Sequence, residues 1–177
     1  MKVLRKLKKS CPNRVWVSIP CIVWSPIQNF NTKPSQKAAL AEKRKESRNL
    51  LCNVLKVLKR VVSPNRHIYF EWPSRCQGWR LPELLAFRSE CIARGLAVHS
   101  VQIHGCMHNL MSREEEGMRL KKSWTILTTD PTFSSACGRR CDGGHPHRTI
   151  GGRDTCYSGF HPDAMGQAIA KRWASSQ

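Results

Sequence analysis

Cys141-Asp142-Gly143-Gly144-His145-Pro146-His147 sets one thiol and two imidazoles within a single short turn. Zinc takes ligands of these kinds, four at a time, in a tetrahedron. The adjacent glycines allow the tight turn that such a cluster needs. On spacing alone the fourth ligand is open among Cys106, Cys137, Cys156 and His161. Cys106 is the expected one, because it directly follows a predicted strand in Gly105-Cys106. Cys137 is the nearest rival and would give Cys-x-x-x-Cys-x-x-x-His-x-His. No position is set aside for water, so the expected site is structural rather than catalytic, holding a long loop that has little apolar content of its own. The plainer reading is a polar loop with unligated thiols and imidazoles, since the spacing is not that of a standard finger.

A second pair of reactive residues lies upstream. Cys21 follows Pro20 directly after an apolar run, so its sulfur sits on a constrained turn from which it can enter a cleft. A thiolate is a strong nucleophile once its pKa is lowered. Glu71 ends the next apolar run, where it can act as an acid or anchor a polar substrate. From these two residues alone the plainer reading has the weight: a lone cysteine is usually a small core residue, and a glutamate at a strand end is usually solvated.

The elements that must position these groups can be read from pattern. Arg14–Ile19 is β-branched and aromatic and closes at Pro20, which predicts a buried strand. A loop over 20–34 follows. A helix is expected from Ser35, as N-cap, to about Arg60, with Leu51, Val54, Leu55, Leu58 and Val62 on one face. His67–Glu71 reads as a second strand, stopped by Trp72-Pro73. Pro82 opens a helix that ends at Gly95. Leu96–Ile103 and Ser123–Thr128 read as third and fourth strands, with a Cys/His-rich loop over 137–161. Asp163–Trp173 closes as a helix, with Met165, Ala168, Ile169 and Trp173 on one side. Strands alternating with helices predict an α/β fold with a mostly parallel sheet and flanking helices, whose ligands lie beyond the carboxyl ends of the strands. The expected organisation is a basic arm over 1–12, an α/β region over 13–110 and a Cys/His-rich region of the same domain over 111–177.

Charge points to the partner. Thirty Lys and Arg against twelve Asp and Glu give +18, a field that attracts polyanions. Nucleic acid, and DNA first, is the expected partner. Arg75, Arg80, Arg139, Arg140, Arg148 and Arg153 stand near both constellations as candidates for lining its path, although each taken alone is more often a solvated surface charge. No apolar run is long enough to span a membrane and no secretory signal follows Met1–Lys9. The chain is therefore expected inside the cell, in cytoplasm or nucleus, with its nine cysteines reduced or metal-bound rather than in disulfides. Gly143-Gly144 and Gly151-Gly152 lack the lysine and preceding strand of a phosphate loop.

Ser18-Ile19-Pro20-Cys21-Ile22-Val23-Trp24-Ser25 resembles the Pro-Cys loop of DNA cytosine-5 methyltransferases, and Phe70-Glu71-Trp72-Pro73 resembles their Glu-Asn motif. The resemblance covers roughly residues 14–103. It is closer to divergent methyltransferase-like segments of mobile elements and phages, with Pro20 to Gln28, Glu71 to Pro73, Gly105-Cys106 and Cys141 to His147 carrying the pattern. It implies a partial Rossmann-like fold. It also implies that Cys21 attacks C6 of a flipped cytosine and that Glu71 engages N3, and it supports Cys106 as the fourth zinc ligand. The sequence departs from the family at Trp72, where asparagine is expected, and no Gln-x-Arg-x-Arg segment follows. Only twenty residues precede Cys21 and none is glycine, so the resemblance implies an N-terminally truncated copy without the S-adenosylmethionine-binding segment. Such a copy would be inactive alone unless a missing segment or a partner chain completes the sheet and supplies that site, and its first strand would be an exposed apolar edge. The alternative is a zinc-stabilised nucleic-acid-binding module without catalysis.

Overall fold

The computed structural model describes Ser10 and residues 12–175. The expected basic arm, 1–12, lies outside the described residues except for Ser10 and Pro12. The chain folds as two compact units. One holds the residues up to His99 together with Leu127–Asp130, and the other holds Ser100–Ile126 with Pro131 onward. The division falls at His99 rather than after residue 110, and the first unit takes back four residues downstream.

In the first unit, β1 (Arg14–Ser18), a long helix and β2 (His67–Pro73) form a β-α-β unit in which the two strands pair in parallel. A short helix, α1 (Gln28–Asn31), lies in the segment expected to be loop. The long helix, α2 (Lys37–Val61), buries Leu51, Leu55, Leu58 and Val61, which recur every three or four residues on one face. Ser35 is not its cap. Pro34 fixes a 3-10 turn over Pro34–Gln36, and the Gln36 side chain accepts a hydrogen bond from the Lys33 backbone N–H at 3.2 Å, so the helix is led in by that turn. α3 (Pro82–Ala93) starts on proline and stops at Gly95, whose φ of 76° is open to glycine at little cost. There the Leu96 N–H donates to Cys91 O at 3.0 Å and the Gly95 N–H to Ile92 O at 2.9 Å, the paired bonds of a Schellman stop. That stop consumes Leu96, which is why β3 (His99–His104) starts three residues later than the apolar run predicts.

Within this unit the strand order is β1-β2 and then the last residues of β5 (Ser123–Thr128). The Thr129 N–H donates to Ile68 O at 3.3 Å, and the Ile68 N–H donates to Thr129 Oγ1 at 3.2 Å. Among the described residues β1 is therefore an edge strand, and it is only half-buried where its sequence predicts a buried strand. The core gathers Leu51, Leu55, Leu58, Ile68, Phe70, Trp72, Leu84, Phe87 and Leu127.

In the second unit β3 lies beside the first residues of β5, and β4 (Arg119–Leu120) pairs in parallel with β6 (His147–Arg148). Three helices complete it: α4 (Phe133–Cys137), α5 (Gly152–Tyr157) and α6 (Asp163–Ala174). Met165 and Ile169 are the buried positions of α6; Trp173 is only half-buried. The stretch 137–161, expected as loop, holds both β6 and α5. Asp154 anchors it: its carboxylate accepts hydrogen bonds from Ser112 Oγ at 2.7 Å and the Arg113 backbone N–H at 2.8 Å. Among the described residues, no helix is long and apolar enough to cross a membrane.

Candidate functional site

Cys106, Cys141, His145 and His147 converge so that their ligand atoms all lie within 4.8 Å of one another. Each arrives by a different device. Cys106 stands in the 3-10 turn that follows β3, and Gly105 before it is obligatory: a Cβ there would meet Leu110 at 2.7 Å and Trp124 at 2.9 Å. Cys141 is fixed by its backbone N–H, which donates to His104 Nδ1 at 2.9 Å. Gly143, at a φ of 90°, turns the chain so that its N–H donates to Cys141 Sγ at 3.3 Å. His147 is held on β6 opposite Arg119.

The donor set fits zinc. A tetrahedral ion with Zn–S and Zn–N bonds of ordinary length sets sulfur and nitrogen about 3.6 Å apart. Cys141 Sγ lies 3.5 Å from Nε2 of both His145 and His147. Burial first, and the neighbouring Cys141 thiol second, push the Cys106 thiol up to about 11, as expected where two thiols share a site built for a cation. The rivals for the fourth position are elsewhere. Cys137 is buried with its sulfur 4.0 Å from Ala168 O, Cys156 is exposed, and the His161 ring packs 5.1 Å from that of Trp124.

Glu71 stands two residues before the end of β2, and Cys21 lies three residues past the end of β1. Ser18 and Glu71 are register partners, and the Ser18 hydroxyl donates to the Glu71 carboxylate. Cys21 follows three residues later at the start of a 3-10 turn. Glu71 is buried, at 3% exposure, so it is not the solvated strand-end glutamate of the plainer reading. Buried Cys76 has its thiol pushed up to about 12, by burial first and further by the charges of Cys21 and Glu71. Trp72, where the resemblance expects asparagine, is wholly buried and structural. Its Nε1–H donates to Ile19 O at 2.9 Å and so ties the loop carrying Cys21 to β2. Gly78 makes room for that ring, since a Cβ there would lie 2.4 Å from Trp72 Cζ3. Ser18 and Cys76 were not legible as site residues. They arrive through strand register and through a turn after β2, neither of which leaves a motif.

Of the candidate nucleic-acid residues, Arg75, Arg80, Arg139, Arg140 and Arg153 are exposed. Arg148 differs from these in being half-buried, with its guanidinium ion-paired with Glu114, with Glu115 at 3.0 Å and with Asp154 at 3.4 Å.

No family profile, no curated protein and no solved structure matches this chain.

Proposed function

We propose that the first unit is a pyrimidine-handling half of a DNA cytosine-5 methyltransferase-like domain, Rossmann-like in its β-α-β unit, and that the second is a nucleic-acid-facing unit clipped by structural zinc. The observation that carries the first part is Glu71, buried, bonded by Ser18 and set near the end of the strand beside the one that precedes Cys21. In this reading the base is flipped out of the stack to reach Cys21 and Glu71. The Cys21 thiolate forms a bond to C6. The C5=C6 electron pair shifts to form C4=C5, the C4=N3 pair moves onto N3, and N3 takes the proton of Glu71 in its acid form. The reading assigns these residues to the base alone and places no methyl-donor site among them.

The test uses DNA carrying 5-azacytosine, whose C6 accepts a thiolate without methyl transfer; the released pair goes to N5 and is protonated there. Intact-mass spectrometry should show a one-to-one adduct, absent in Cys21→Ala and formed about a hundredfold more slowly in Glu71→Gln, the scale of lost acid catalysis. If no adduct forms while Cys21→Ala binds DNA as tightly as the wild type, with affinity falling steeply as salt rises, the chain is a binding module without this chemistry. The +18 charge gives that second reading its weight.

A further inference from the structure

The second unit contains an open cleft of about 980 Å³ that the zinc cluster does not use. His108 forms part of its wall. The residue is 3% exposed, and its Nε2 has no hydrogen-bond partner among the described residues. A buried polar atom of this kind normally meets a partner, and His108 is among the residues that line the cleft. Two further features of the wall say what kind of ligand fits. Arg113 lies over the Tyr157 ring, 3.9 Å from its centroid, which holds the guanidinium plane while leaving donors at its edge. Arg153 adds a second exposed cation. Phe160, 75% exposed, presents a bare aromatic face on the same cleft. The α6 helix begins at the cleft with Asp163 and Ala164, and Asp163 is the one carboxylate among the lining residues against two arginines.

Cations interleaved with an exposed aromatic ring are how proteins hold unpaired nucleotides: the ring stacks on a base and the cations take phosphate. We infer that this cleft binds a single nucleotide unit, with its base on Phe160, its phosphate on Arg113 and Arg153, and a polar group of its base or sugar on His108 Nε2. The inference deepens the nucleic-acid reading above and rests on it for the source of the ligand, a nucleotide in an unpaired strand rather than a free one. The volume suits a ligand of this size.

Fluorescence anisotropy of the full chain with a short labelled single-stranded oligonucleotide tests it. Phe160→Ala should weaken binding about five-fold or more, the scale of one lost stack. Arg153→Ala should weaken it and lower the salt slope by about one. His108→Leu should weaken it as well; because that residue is buried, the exposed Phe160 and Arg153 variants decide if it misfolds. Competition by a nucleoside monophosphate separates the two sources: displacement only at great excess supports the strand, while displacement at equal concentration means that the site serves free nucleotides and overturns the strand assignment. Unchanged affinity in both Phe160→Ala and Arg153→Ala, or no binding by the wild type, overturns the inference. These binding readouts do not involve the Cys21 adduct, so failure of that chemistry would leave them standing.

Discussion

Asp154 shows how much one side chain can hold. It is wholly buried, yet its carboxyl is kept below the usual carboxylate range. The hydrogen bond from the Arg113 backbone N–H contributes most, then that from the Ser112 hydroxyl, with the Arg148 charge behind them. Because its folded pKa lies below its unfolded one, the stabilisation is complete above the unfolded value of about 4 and is lost as pH falls through the folded value. The second unit should therefore loosen in acid, with amide exchange rising first over residues 112–115 and 152–158. Asp154→Asn keeps an oxygen acceptor but cannot titrate, so its exchange there should start higher and change little with pH. An acid response equally steep in Asp154→Asn would assign the effect to another group. Arg148 belongs to the same cluster, and its ion pairs were not legible because the acids that engage it, Glu114, Glu115 and Asp154, come from separate segments.

At the scale of elements, α2 carries the first unit through a stripe of leucines. Leu58 is fully buried and Leu50, eight residues earlier, is 44% exposed. Leu58→Ala should cost about 2–5 kcal/mol through lost burial and the cavity left behind, whereas Leu50→Ala should stay within about 1 kcal/mol. Urea midpoints of the two variants make the comparison, and equal costs would mean that the stripe does not face the core in solution. That stripe was legible because a helix repeats its buried face locally. So were β1, β2, β5, α3 and α6, since each is announced by local pattern. Cys106 was legible as the fourth member of the Cys/His cluster for the same reason: a small residue and a thiol directly after a strand. What was not legible depends on contacts distant in sequence. Ser35 looked like a cap until Gln36 and Pro34 built a competing turn. β3 started late because the Schellman stop at Gly95 took Leu96. Ser18 reaches Glu71 only through the register of two strands separated by α2.

For the molecule as a whole, the two units are stabilised in different ways. The first has a continuous apolar core built on α2, α3 and the sheet. The second puts its ligand-bearing stretch on two-residue strands, a five-residue helix and the Asp154 anchor, with His145 and His147 only half-buried. A segment with so little apolar burial does not offset the entropy of ordering it. A structural zinc contributes about 10–16 kcal/mol of apparent binding energy, comparable to or larger than the roughly 5–15 kcal/mol that holds a typical domain together. Metal removal should thus act on one unit selectively. With a strong chelator, amide exchange should rise steeply over residues 104–110 and 137–148, while α2 keeps its protection, and adding zinc back should restore both segments. Cys106→Ser should reproduce the chelated pattern without chelator, whereas Cys156→Ser, which removes an exposed thiol outside the cluster, should not. Native mass spectrometry of protein purified without chelator should show one bound ion per chain. If no ion is present and the chelator leaves exchange unchanged, the four residues are held together by the fold alone, and the Asp154 anchor would have to carry the ordering assigned here to the metal.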